Sequence, residues 1–265
     1  MRYLDLAGAG NRFFVVEDWD AQLELSARAR DLSAEFDGLV GLHAPARKPN
    51  AFRMSIHNRD GSEARMCGNG LRCATFASHA WERTGPGTFR VETAAGDLAV
   101  RSQDNAIACE VGIPEAQAER IPTTLASAPR LSLGIVDDEL LTEPGWIFAV
   151  GGPHVVLFVE DLELFHWQAI GLELQSHRAF PDRVNLHAAE RVGANAYRVR
   201  SFERGVGPTR ACGTGAAAVC VAGSGWKPTA ARVESPGGVL EVEWRGTGHA
   251  VWVGGSVEVP DTITK

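Results

Sequence analysis

The sequence predicts an α/β protein of two similar halves, each a set of strands wrapped around one buried helix. Three observations predict this. Four short strings recur in the same order about 142 residues apart. Short segments rich in Val, Phe and Leu dominate both halves. Each half also carries one Cys-Gly-x-Gly turn followed by an Ala-rich run.

The repeat sets the organisation. Arg90-Val-Glu-Thr-Ala-Ala-Gly96-Asp-Leu98 is echoed by Arg232-Val-Glu-Ser-Pro-Gly-Gly238-Val-Leu240, an offset of 238 − 96 = 142. AIACEVG ending at Gly112 matches AVWVG ending at Gly254, again 254 − 112 = 142. Met66-Cys67-Gly68-Asn69-Gly70 resembles Ala211-Cys212-Gly213-Thr214-Gly215, with 212 − 67 = 145. AGAGNRFFVV around Gly8 and VGGPHVVLFV around Gly151 each turn one apolar segment into another, with 151 − 8 = 143. So long a period lies outside the solenoid range and marks a duplicated domain. The halves fall at 1–114 and 115–265, with the tail at about 252–265 able to pack back on the first.

In order along the first half, strands are expected at Phe13–Val16, Phe52–Ile56, Thr88–Glu92, Leu98–Arg101 and Ala106–Val111. The second half offers Ile147–Val150, Val155–Val159, Ala196–Phe202, Ala231–Glu234, Leu240–Trp244 and His249–Val253. The runs Leu71–Trp81 and Ala216–Ala222 are apolar nearly all round, so helices there are buried. Amphipathic surface helices are expected at Ala21–Leu32 and Leu162–Gln175, the latter with a break near Gly171. Residues 113–142, with three prolines, read as the connection.

Composition excludes several functions. With 26 basic and 33 acidic side chains the net charge is −7, which argues against a phosphate-neutralising nucleic-acid surface. No apolar run approaches a membrane span, and Asp5 stands where an export signal needs apolar residues, so a cytoplasmic protein is expected. The five cysteines are odd in number and lack Cys-x-x-Cys spacing, which points to thiols without a disulfide framework or zinc site. No metal-ligand spacing is present, and no cofactor is expected. The three lysines are Lys48 and Lys227, each before proline, and the terminal Lys265, none well placed for a pyridoxal phosphate Schiff base. Gly213–Ala218 formally fits G-x-G-x-x-A, but no strand immediately precedes it and its twin at Gly68–Cys73 fails the pattern.

What remains is the pair of turns. Cys67 and Cys212 each precede a buried helix, and the glycines after them let the backbone approach a ligand. Exposed N–H groups and the positive helix end favour an anion and also stabilise a thiolate. If the halves face each other about a pseudo-twofold axis, two activated cysteines would flank one cleft. Inverting an α-carbon needs a base on one face and an acid on the other, which a thiolate–thiol pair supplies. Backbone N–H groups would hold the carboxylate as charge develops on it. Cys73, Cys109 and Cys220 lack this context and read as core. Among the histidines His154 stands out, following Gly-Gly-Pro at a strand junction.

At these residues the sequence resembles the diaminopimelate epimerase family. Asn58-Arg-Asp-Gly-Ser-Glu-Ala-Arg-Met-Cys-Gly-Asn-Gly-Leu-Arg-Cys73 looks like its first catalytic segment. Glu203-Arg204-Gly205 with Ala211-Cys-Gly-Thr-Gly-Ala216 looks like its second, and Gly10-Asn11, Gly152-Pro153-His154 and Phe180-Pro-Asp-Arg-Val-Asn185 match shorter signatures. The resemblance covers essentially the whole chain. It implies two duplicated α/β (α+β) domains, each a curved, mostly antiparallel sheet around a central helix, without metal or pyridoxal phosphate.

Carried over, it makes Cys67 and Cys212 the acid–base pair and gives Gly68, Asn69, Gly213 and Thr214 the reacting carboxylate. Glu203 would hold the reacting amine, and Glu203 with His154 would tune the thiols. Asn11 would contribute to the pocket, and Asn58, Asn185 and Arg204 would bind the distal amino-acid end of the substrate. The partner implied is a small amino acid. The family often forms homodimers, although no patch of this sequence specifies one.

Two positions depart from the family pattern. Gly152 stands where the family has Asn, and Gly38 follows Phe36-Asp37 where it has Gln. Three readings therefore stand: epimerisation of LL-diaminopimelate to the meso form, inversion of another amino acid such as histidine or an imino acid, and non-catalytic capture of a carboxylate.

Overall fold

In a computed structural model, which describes residues 2–20, 22–103, 106–124, 130–131 and 141–260, the chain starts as a hairpin of β1 (Tyr3–Gly8) and β2 (Asn11–Glu17). Its two-residue turn, Ala9 (φ 48°) and Gly10 (φ 77°), is left-handed at both positions, as a tight hairpin requires. The hairpin belongs to the first of two units, Met1–Glu110 with Gly254–Lys265; the second is Val111–Val253.

In the first unit α1 (Leu25–Asp31) leads to β3 (Gly38–His43), which lies parallel to β2 and antiparallel to β4 (Phe52–Asn58). A short β5 (Glu63–Ala64) precedes α2 (Gly68–Ala80). Then β6 (Gly87–Thr93) lies parallel to β4, and β7 (Gly96–Gln103) and β8 (Ala106–Gly112) follow antiparallel.

The second unit repeats the pattern. A short β9 (Arg130–Leu131) pairs with β10 (Gly145–Ala149), which is antiparallel to β11 (Pro153–Val159). After α3 (Trp167–Leu174), β12 (Asn185–Gly193) lies parallel to β11 and antiparallel to β13 (Ala196–Glu203). A short β14 (Gly207–Thr209) precedes α4 (Gly213–Gly223), and β15 (Thr229–Ser235) lies parallel to β13 and antiparallel to β16 (Gly238–Trp244). β17 (Val251–Gly255) follows, and β18 (Val257–Glu258), which belongs to the first unit, pairs with β1. Antiparallel, parallel, antiparallel, parallel, antiparallel is thus the order in both units, with a helix at each parallel crossover.

The helix of the second crossover is the core of each unit. α2 lies against β1, β2, β3 and β4, with Leu71, Cys73, Ala74 and Ala77 fully buried. α4 lies against β10, β11, β12, β13, β15 and β16, and Ala216 through Ala222 are all buried. Small side chains let the strands close on it. The outer helices cover separate clusters, α1 over Phe14, Val16 and Leu39 and α3 beside Phe180, Leu186 and Phe202.

Several expectations need correction. The helix expected at Ala21–Leu32 is only Leu25–Asp31, and residue 21 lies outside the described residues. The helix expected at Leu162–Gln175 starts at Trp167 and runs through Gly171 without a break. A Cβ on Gly171 would stand 2.4 Å from the Phe202 ring, so glycine is there for close packing. The core helices begin at Gly68 and Gly213, earlier than the apolar runs, because each cysteine caps its helix. The last expected strand begins at Val251 instead of His249. Part of the proposed connection (125–129 and 132–140) and the tail 261–265 lie outside the described residues.

Candidate active site

In the first unit, β4 ends at Asn58, whose carbonyl accepts from Gly61 N–H at 2.9 Å and whose amide donates to Ser62 Oγ at 3.0 Å. The chain then reaches Cys67, extended at φ −144° and ψ 117°, and its Sγ accepts from Gly70 N–H at 3.5 Å. A Cβ on Gly70 would stand 3.0 Å from Ile56 Cδ1, so glycine lets the helix start press onto β4. Gly68 and Asn69 form the first turn and are buried. Asn69 Nδ2 donates to Asn11 Oδ1 at 2.8 Å, so the hairpin turn and the cysteine turn meet through two amides.

In the second unit, Cys212 has the same geometry, φ −128° and ψ 115°, with Sγ accepting from Gly215 N–H at 3.3 Å. Thr214 Oγ1 lies 3.4 Å from the sulfur. The Cys212 thiol also bonds the Glu203 carboxylate, which accepts from Thr209 Oγ1 at 2.6 Å. Burial raises Glu203 above the usual carboxylate range. Burial first, and the Glu203 charge second, push Cys212 well above the usual thiol range. At neutral pH Cys212 is therefore a thiol.

His154 is wholly buried, with Nε2 3.0 Å from Val150 O and Nδ1 2.9 Å from His187 Nε2. His187 Nδ1 in turn lies 2.9 Å from Ser201 Oγ. Burial lowers His154 to about 4 and His187 well below its ordinary value, so both rings are neutral. A carbonyl only accepts, so His154 carries its proton on Nε2 and accepts at Nδ1 from His187, which accepts from the Ser201 hydroxyl. With both ring nitrogens so committed, His154 bears on the cysteine turn through His187. The His187 ring is packed under the start of α4, where a Cβ on Gly215 would stand 2.2 Å from it.

The distal residues divide between the units. Asn185 donates to Pro153 O and accepts from Arg204 N–H, both at 2.9 Å, so its amide pins the loop that carries exposed Arg204 beside Glu203. Asn58 sits across from Gly38 in the β3–β4 register. A Cβ on Gly38 would stand 3.0 Å from His57 O, so a glutamine there would need the backbone to shift. A Cβ on Gly152 would be 3.7 Å from Asn185 Nδ2, an ordinary contact, so this chain leaves open a space an asparagine side chain could enter.

The sequence reading missed His187, Ser201, Thr209 and Arg72. His187 was signalled by its place two residues after Asn185, on the same strand face. Arg72 was signalled as the one arginine among the mostly small residues of α2. Among the described residues, no group of three or more His, Cys, Asp or Glu could hold a metal ion, and no helix is long and apolar enough to cross a membrane.

Solved structures share this fold. A Bacillus anthracis phenazine biosynthesis protein of the PhzF family superposes with a TM-score of 0.67 at 17% identity, over 97% of both chains. A hydroxyproline epimerase from Agrobacterium vitis superposes with a TM-score of 0.63 at 13% identity, over 98% of this chain and 90% of that one. The chain thus has the duplicated fold found in amino-acid epimerases and racemases. The family model for diaminopimelate epimerase matches residues 4–117 and 147–259, both halves of the repeat. Proteins named diaminopimelate epimerase from Methylorubrum extorquens and Ectopseudomonas mendocina are 36% and 33% identical over 96% of this chain and 91% and 95% of their own. The chain belongs to the diaminopimelate epimerase family and is an isomerase. Non-catalytic carboxylate capture is thereby set aside.

Proposed function

We propose that the protein epimerises LL-2,6-diaminopimelate to the meso form with Cys67 and Cys212 as the acid–base pair and no cofactor. The observation that carries this is the twice-built turn: a cysteine at the N-cap of a buried core helix, its sulfur accepting from the N–H three residues on, once in each unit. The reaction calls for one sulfur on each face of the α-carbon. Cys212, held as a thiol by burial and by Glu203, is the resting acid, and the base role falls to Cys67. Backbone N–H groups at Gly68, Asn69, Gly213 and Thr214 would take the carboxylate as charge moves onto it, where a preorganised donor is worth more than water. Glu203 would also meet the reacting amine. Arg204, Asn185 and Asn58 would hold the distal amino-acid end, with Arg204 suited to a carboxylate.

A second reading, inversion of another amino acid, is favoured by the empty space over Asn185 left by Gly152 and by the lack of a side chain at Gly38. A polar partner missing from a binding site is enough to change substrate choice. Proton NMR of the reduced protein in D₂O decides between the two. Deuterium entering the α-position of LL-diaminopimelate, with meso product, supports the first. Exchange with another amino acid of a panel, and none with diaminopimelate, moves the assignment to the second.

A further inference from the structure

Arg72 is wholly buried in α2. Its Nη2 donates to Asn69 Oδ1 at 2.9 Å, whereas Nε and Nη1 meet no hydrogen-bond partner among the described residues. Burying a guanidinium without a carboxylate is costly, so such a residue calls for a reason. The fold itself does not demand it. Five residues after Cys67 stands Arg72, and five after Cys212, in the equivalent helix, stands buried Ala217.

The reason lies in the amides it orders. A guanidinium has donors only, so the Asn69 atom that faces it is oxygen. The Asn69 NH₂ is thereby turned toward Asn11, whose oxygen accepts it at 2.8 Å. With its oxygen engaged, Asn11 has its own NH₂ left for whatever comes to the hairpin turn. Asn69 is 3% exposed while Asn11 is half-buried, so the chain of bonds runs from the core outward. Without Arg72 the two amides could flip together and offer a carbonyl oxygen instead.

We propose that Arg72 is a positioning residue that sets the polarity of the Asn69–Asn11 pair, so that Asn11 offers an NH₂ donor to a carboxylate of the amino-acid substrate and not an acceptor to an ammonium. The carboxylate rests on the proposed function above, whereas the amide polarity does not. Two measurements separate them.

The first needs no substrate. In the ¹⁵N-labelled full-length protein, the side-chain NH₂ of Asn69 should exchange slowly with solvent and that of Asn11 quickly, with Asn11→Ser assigning the signals. A protected Asn11 NH₂ beside a fast Asn69 would overturn the polarity, even if no variant of Arg72 folds. The second compares Arg72→Lys, which keeps a donor, with Arg72→Met, which has none. Arg72→Met should lose the Asn69 protection and raise KM on the order of tenfold, with kcat held within about threefold, as loss of a charge-assisted contact predicts. Arg72→Lys should restore both. A folded Arg72→Met with Asn69 still protected and KM unchanged sinks the proposal, as does an Arg72→Lys as impaired as Arg72→Met. If the wild type inverts no amino acid, the functional reading fails, and the exchange data still decide the polarity.

Discussion

A cysteine sulfur makes a long helix cap, 3.5 Å from its N–H at Cys67 and 3.3 Å at Cys212, where a serine oxygen would sit closer and bind more strongly. Capping alone therefore explains neither residue, whereas the proton transfer proposed above would. Cys67→Ser and Cys212→Ser should keep their caps and melt within a few degrees of wild type. Inversion should nevertheless fall by on the order of 100-fold or more, because a hydroxyl is a far weaker acid than a thiol. The alanine variants should abolish inversion and also lose about 1 kcal/mol of cap stability. Deuterium incorporation and thermal melts read the two effects separately, and near-normal turnover in either serine variant would refute the two-thiol assignment. The cysteines were legible because each sits in a local motif that recurs. Arg72 and His187 were not, since what they do depends on partners far along the chain: Asn69 reaches back 58 residues to Asn11, and His187 reaches 33 to His154.

At the scale of elements, hydrophobic patterning found β2, β4, β6, β7 and β8 and their counterparts, because each sets apolar side chains among polar or small ones over a short stretch. It passed over β3, whose GLVGLH holds two glycines, and β12, whose NLHAAERVG mixes small and charged residues. Both are strands because they lie parallel to a neighbour across a helical crossover, a pairing that no local pattern encodes. The break expected in α3 failed for a related reason: glycine reads locally as a weak helix former, but here it makes room for Phe202 from β13. Gly171→Ala should therefore destabilise the second unit by about 1–3 kcal/mol despite alanine's better helix propensity. A Gly171→Ala protein that melts at or above the wild-type temperature would show that this contact gives way easily.

For the whole molecule, the buried titratable groups bound the pH range of stability on both sides. His154 and His187 are held neutral by burial, with His154 lowered from 6.5 to about 4. Above pH 6.5 the folded and unfolded chains hold equal numbers of these protons. As pH falls below that, the unfolded chain binds them first, and stability declines until His154 itself protonates near pH 4. The thiols act in the opposite sense. Burial raises Cys73 and Cys220 from 9.0 to about 12 and Cys109 to about 11, and it raises Cys212 as well. Below pH 9 all are protonated in both states; above it the unfolded chain releases protons that the folded chain keeps, so stability falls as pH rises. Each group contributes a slope of up to about 1.4 kcal/mol per pH unit within its window. Calorimetric melts in reductant should thus show a plateau from about pH 6.5 to 9 with a decline on either side. Cys220→Ala, which removes a buried thiol from the body of α4 and leaves the Cys212 cap in place, should make the alkaline decline shallower and leave the acid one unchanged. A melting temperature level from pH 9 to 11, or an alkaline decline untouched by Cys220→Ala, would mean that the folded chain releases these protons as readily as the unfolded one does.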